Sequence, residues 1–259
     1  MSRSLRYTTA AIVMRARPFG ETSQVIHLAT PDHGMIAALV KGAHRPGPEF
    51  QGGIALGTVG KADLLRRPRA ELELLRKFRI AEDLRGLRRD LGRFYGASHV
   101  LALLRAWMKP YLPAPALFRA AVTALRAQAA APPERVGAWT AWFEARALAA
   151  TGHRPQLEAC AACGQALPEN ARVLFAAAAG GFVHDACAPP GPSRRLDPQE
   201  RAGVLRLYTA RLPELKRDPL DDTAVKAARG LHDLFVPHVL ERRPASLDRL
   251  PGRARSPVR

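Results

Sequence analysis

The sequence predicts an α+β protein, with a β-barrel at the N-terminal end followed by a helical region that a small cysteine-bearing module interrupts. Three observations predict this. Apolar and β-branched residues alternate up to about Ile80, the apolar period then lengthens to three and four residues, and the 3 cysteines all fall between Cys160 and Cys187. At 259 residues and 47% hydrophobic, the chain can bury one large core or two smaller ones.

In the barrel segment, alternation is clearest in Ala11-Ile12-Val13-Met14 and Gln24-Val25-Ile26-His27-Leu28, and further strands are expected at Met35–Val40, Thr58–Leu65 and Leu72–Phe78. Turn chemistry separates them at Pro18-Phe19-Gly20, Pro31-Asp32-His33-Gly34 and Arg45-Pro46-Gly47-Pro48. Five short strands in so little chain suit a small closed barrel better than a sandwich.

After Asp83, Leu84, Leu87, Leu91, Phe94, Leu101, Leu104 and Met108 recur at helical multiples, which predicts one long amphipathic helix ended by Pro110 and Pro113. A second helix is expected from about Pro115 to Ala130, and a third beyond Ala131-Pro132-Pro133 carrying Val136, Trp139, Trp142 and Phe143. Later, Asp197-Pro198-Gln199-Glu200 spells a helix start, with an Asp cap, Pro at the first position and Glu able to reach back. The last helix begins near Asp221-Asp222, passes Leu231, Leu234, Phe235 and Val239, and should kink or restart at Pro237. The expected domains are thus 1–80 (barrel), 81–156 (helical, first part), 157–190 (cysteine module), 191–250 (helical, second part) and a basic tail, 251–259.

Cys160-Ala161-Ala162-Cys163-Gly164 and His184-Asp185-Ala186-Cys187 form a C-x2-C and an H-x2-C pair. Thiolates and an imidazole at that spacing are the ligands tetrahedral zinc takes, and an odd cysteine count argues against a disulfide framework. Val173-Leu174-Phe175 and Gly181-Phe182-Val183 between the pairs read as a hairpin, so the module resembles a zinc ribbon. Cys160, Cys163, His184 and Cys187 would fill the coordination shell, which makes Zn2+ structural rather than catalytic.

The charge balance, 40 Lys+Arg against 23 Asp+Glu for a net +17, favours a polyanionic partner. Nucleic acid is the first candidate, and a membrane surface or a merely arginine-rich exterior are the others. In the barrel, Arg15 and Arg17 close the first strand while Lys41, His44 and Arg45 follow the third. Cationic loops beside a barrel face hold phosphates, and with aromatics at only 6% the contact should be insensitive to base sequence.

No enzyme signature emerges. Lys41-Gly42 lacks the glycines of a phosphate loop, no serine sits in a nucleophile elbow, His184-Asp185 is better used by the metal, and His232-Asp233 fits a capping or surface role on its helix. No export signal or run of roughly 18 apolar residues stands out, so a cytoplasmic, nucleoid-associated location with no membrane partner is expected.

The run Ala11-Ile12-Val13-Met14-Arg15-Ala16-Arg17-Pro18-Phe19-Gly20-Glu21-Thr22 resembles the opening of the RecO family of recombination mediators. Thr30-Pro31-Asp32-His33-Gly34 leading to Val40-Lys41-Gly42-Ala43-His44-Arg45-Pro46 is similar too, as are the cysteine module with Gly180-Gly181-Phe182 and the ending Glu241-Arg242-Arg243 through Ser246-Leu247. The resemblance implies an OB-fold, a zinc insertion, and binding of single- and double-stranded DNA. It further implies strand annealing, work with RecR, contact with the acidic tail of single-strand-binding protein, and help in loading RecA. Two positions depart from the family: His184 stands where a third Cys is common, leaving a zinc site one unit less negative, and His44 replaces an Arg. Lys41 and Arg45 match and carry over as DNA contacts. A zinc-ribbon RNA-binding or transcription accessory protein, and a zinc-dependent hydrolase, are the rival readings.

Overall fold

Alternation dictates the first element of the chain. In the computed structural model, which describes residues 4–43, 54–68, 70–82, 84–168 and 171–250, β1 is a single strand, Leu5–Phe19. It is longer than the pattern alone suggested because it serves two partners: its first half pairs with β4 (Val59–Arg66) and its second with β2 (Ser23–Thr30). An irregularity between Val13 and Arg15 re-aims the strand where it changes partner. With β3 (Gly34–Val40) and β5 (Glu73–Glu82), the order is β1-β2-β3-β5-β4, closed back onto β1. Only β3 and β5 run parallel. A closed five-stranded barrel in this order is the oligonucleotide-binding architecture.

Inward positions are the apolar ones: Ala11, Val13, Ile26, Leu28, Ile36, Ala38, Val40, Leu64, Leu75 and Phe78 form the barrel core. A buried carboxylate also takes part. Glu73 accepts the Tyr7 hydroxyl at 2.6 Å and the Arg66 Nε at 3.1 Å, and the Arg66 guanidinium lies over the Tyr111 ring.

The expected long helix after the barrel is two elements. Leu84 and Leu87 belong to a 3-10 turn around Arg85–Arg88, and α1 (Leu91–Trp107) starts afresh because the Asp90 side chain caps it by accepting the Arg93 amide. Phe94 and Leu91, read as inward from their spacing, are exposed in consequence. α2 (Pro115–Ala130) occupies the expected span. Contacts divide the chain into two compact units, Met1–Ala131 and Pro132–Arg259, so α1 and α2 belong with the barrel.

The second unit begins with α3 (Val136–Ala150). The expected hairpin is present as β6 (Val173–Ala176) and β7 (Gly181–Val183), to which β8 (Ser193–Leu196) adds an unforeseen third strand against β6. Its core is aromatic, with Phe175 edge-on to Phe182 and Phe235. The capping box at Asp197 and Glu200 starts α4 (Pro198–Thr209), a short α5 spans Leu212–Arg217, and Asp221 caps α6 (Asp222–Val239). Pro237 lies inside α6 two residues before its end, so no new helix starts there. Gly203 lets α4 and α6 meet, because a Cβ there would lie 2.3 Å from the Ala224 Cβ.

His232, read from sequence as a capping or surface residue, is fully buried in this unit. Its Nδ1–H donates to Glu144 at 2.9 Å and its Nε2 accepts from Tyr208 at 2.7 Å, tying α3, α4 and α6 together. Burial first, and then the Glu144 charge, push the Tyr208 phenol well above its ordinary range, which keeps it a donor. No helix among the described residues is long and apolar enough to cross a membrane.

Candidate metal centre and nucleic-acid interface

The candidate metal centre is assembled by two tight turns. After Ala159, the chain folds so that the Gly164 amide donates to Cys160 O at 2.8 Å and the Cys160 amide to Gln165 O at 2.9 Å. Gly164 makes this turn at φ +74°, a conformation that side-chain-bearing residues resist. The second pair sits at the exit of β7, where a 3-10 turn, Asp185–Cys187, carries Cys187 back beside His184. The ligand atoms of Cys160, Cys163, His184 and Cys187 all lie within 4.8 Å of one another. A tetrahedron with metal–sulfur bonds of about 2.3 Å has edges of roughly 3.8 Å, so the cluster fits a metal ion with little adjustment.

The imidazole is oriented for the task. Its Nε2 lies 3.1 Å from the Ala166 carbonyl, which can only accept, so the proton resides there and the bare Nδ1 faces Cys163 at 3.6 Å and Cys187 at 3.9 Å. Burial raises the Cys160 thiol, but the amides of Cys163, His184 and Ala162 outweigh it and bring the thiol down to about 6. The Cys163 hydrogen bond, with burial behind it, pushes Cys187 up to about 11. One thiol that ionises readily among three suits a site whose remaining thiol protons are released to solvent when a cation binds.

In the first unit, the alternation that buries Ile26 and Leu28 turns Arg15, Arg17 and Phe19 outward on β1. Arg15 pairs with His27 and Arg17 with Val25, while Val25 pairs in turn with Leu39, two residues before exposed Lys41. Arg15 and Arg17 therefore share the outer wall of β1, β2 and β3, and Lys41 lies in the turn that follows β3 at the end of that wall. His44 and Arg45 lie outside the described residues. Two neighbours escaped the sequence reading. Burial, followed by Arg105 and Arg17, holds His27 below its ordinary range, so Arg105 from α1 adds to the positive field and His27 stays neutral within it. Only the register and the packing of α1 could have found them.

Of the aromatics near this wall, Phe19 is 56% exposed and free to stack. Tyr7 is occupied with Glu73 and with the His33 ring at 4.5 Å, and Phe78 is in the core.

Comparison with known proteins bears on both features. Residues 1–83 match the family model described as recombination protein O N terminal, and residues 88–248 match recombination protein O C terminal. The chain belongs to the RecO family. It is 34% identical over 242 residues to a DNA repair protein RecO of Anaeromyxobacter dehalogenans, covering 93% of this chain and 94% of the relative. A DNA repair protein RecO of Myxococcus xanthus is 30% identical over 246 residues, covering 94% and 96%, and one of Symbiobacterium thermophilum is 30% identical over 214 residues, covering 82% and 79%. RecO membership gives the chain a DNA repair role, with a barrel unit and a unit whose cysteine–histidine cluster could hold a metal ion.

Proposed function

We propose that this protein is a non-catalytic recombination mediator that binds single- and double-stranded DNA through the β1–β2–β3 wall and anneals complementary strands. In this reading it works with RecR to load RecA onto DNA coated by single-strand-binding protein, whose acidic tail it contacts, in the cytoplasm at the nucleoid. The observation that carries the reading is the pair Arg15 and Arg17 facing outward on one barrel wall with exposed Lys41 in the turn after β3, extended in sequence by His44 and Arg45. Guanidinium and ammonium groups there take phosphates and leave the bases free to find complements.

Zinc is the metal that Cys160, Cys163, His184 and Cys187 would hold, since three sulfurs and one imidazole nitrogen suit it best. Bound there, it supplies a covalent-strength clip between the turn at Cys160 and the exit of β7. A hydrolase reading needs an open coordination position, and four protein donors leave none for water.

The test is annealing of complementary oligonucleotides, one precoated with single-strand-binding protein, followed by fluorescence across a salt series. Annealing faster than the spontaneous rate with chemically intact strands is expected, and Lys41→Glu with Arg45→Glu should weaken DNA binding at unchanged melting temperature. Spontaneous-rate annealing, cleaved strands, or an equal preference for RNA of the same length would overturn the reading.

A further inference from the structure

A second cationic surface lies on the other wall of the barrel, built from the first half of β1 with β4 and β5. Alternation sends Ala62, Leu64 and Phe78 into the core and turns Lys61, Asp63, Lys77 and Arg79 outward, and a register irregularity between Asp63 and Leu64 leaves Arg76 as an extra, exposed residue beside them while Leu75 returns to the core. Lys61 stands directly opposite Arg79, and Asp63 opposite Lys77. Directly opposed residues have Cβ atoms about 5 Å apart, and like charges so placed destabilise a sheet. The wall thus carries an arrangement that folding alone disfavours.

The carboxylate in its midst does not neutralise it. Asp63 is engaged by Arg6 through two hydrogen bonds, and Arg6 foremost, with Arg76 and Arg79 nearby, holds its carboxyl below the usual range. Lys61, Arg76, Lys77 and Arg79 are exposed and have no ion-pair partner among the described residues. On β1, the residues opposite Lys61 and Asp63 are Ala10 and Thr8, whose short side chains leave the approach to the cations open. From Arg76 to Arg79 the strand advances about 10 Å at 3.3 Å per residue, long enough to meet more than one phosphate of a strand laid along it.

We propose that this wall is a second phosphate track, on which the backbone of another nucleic-acid strand lies while the first occupies the β1–β2–β3 wall. The inference rests on the DNA-binding reading above and goes beyond it. Two strands held by their phosphates on separate walls of one small barrel are brought within a barrel's width, with repulsion between them screened by the cations.

The experiment counts strands. An oligothymidylate of about four nucleotides, at the short end of the site sizes of a single barrel, is titrated at about 50 mM salt and its stoichiometry read by native mass spectrometry and fluorescence anisotropy. The wild type should take two strands per chain. Lys61→Gln with Arg79→Gln should take one, as should Arg15→Gln with Arg17→Gln and Lys41→Gln, and the combination should bind at least about tenfold more weakly. Relief of the opposed charges should also leave the Lys61→Gln, Arg79→Gln protein no less heat-stable than wild type at low salt, and Arg79→Gln alone serves if the pair fails to fold. One strand on the wild type, unchanged by Lys61→Gln with Arg79→Gln, overturns the second track and leaves the proposed function standing. No strand on the wild type overturns both. Capture by anionic phospholipid vesicles that is lost in Lys61→Gln with Arg79→Gln, at unchanged strand count, makes the wall a lipid surface and overturns the inference.

Discussion

Neutralising Arg15, Arg17 and Lys41 together, as Arg15→Gln, Arg17→Gln and Lys41→Gln, should change how DNA binding responds to salt more than it changes the fold. Arg15 and Arg17 lie on the outer wall of β1–β2–β3 and Lys41 in the exposed turn after β3, away from the core that Val13, Ile26 and Val40 form. Each phosphate contact on a single strand contributes about 0.7 to the slope of log affinity against log salt, so losing three lowers the slope by about 2. Between about 50 and 200 mM salt, a fourfold change, the variant's deficit should therefore shrink by roughly 20-fold. Anisotropy of a labelled homopolymer strand at four salt concentrations reads both slopes directly. Parallel lines, with weaker affinity at every salt but the same slope, would refute the reasoning, because they would mean that none of the three side chains displaces counterions.

Three further outcomes are expected. Cys163→Ser should lose stoichiometric metal, measured by elemental analysis after gel filtration, and lower the urea midpoint of the second unit, while retention of one ion per chain at wild-type affinity would remove Cys163 from the ligand set. Glu144→Ala leaves a buried imidazole N–H unpaired between α3 and α6, so it should cost about 1–3 kcal/mol in denaturant melts, and a change below about 0.5 kcal/mol would show the network to be dispensable. Glu82 is held below the usual carboxylate range chiefly by its hydrogen bond from Arg126. Since its folded value is the lower one, its stabilisation is present above the unfolded carboxylate range and disappears as pH falls through the folded value. Glu82→Gln should then melt below wild type at neutral pH by no more than roughly 0.5 kcal/mol, given the exposure of the pair, and the two should converge in acid.

Most of the local chemistry was legible in the residues. Within each pair the C-x2-C and H-x2-C ligands share a turn because two-residue spacers constrain it, the Ala161 amide joins the two turns by donating to Phe182 O, and Asp197 and Glu200 form the capping box because both partners sit within one helical turn. The pattern misled where helical spacing continued through a break: Leu84 and Leu87 look continuous with Leu101 and Leu104, yet Asp90 starts a separate helix between them. His232 was misread because its neighbours in sequence are polar on one side, whereas its partners Glu144 and Tyr208 come from two other helices.

The sequence by itself determined the barrel-then-helix order, the cysteine–histidine donor set and the excess of positive charge, all of which depend on composition and on periods of a few residues. Only the tertiary structure decided which cations share a wall. A strand's outward face follows from its alternation, but which strand lies beside it is set by long-range pairing, and that pairing separates Arg15, Arg17 and Lys41 from Lys61, Lys77 and Arg79.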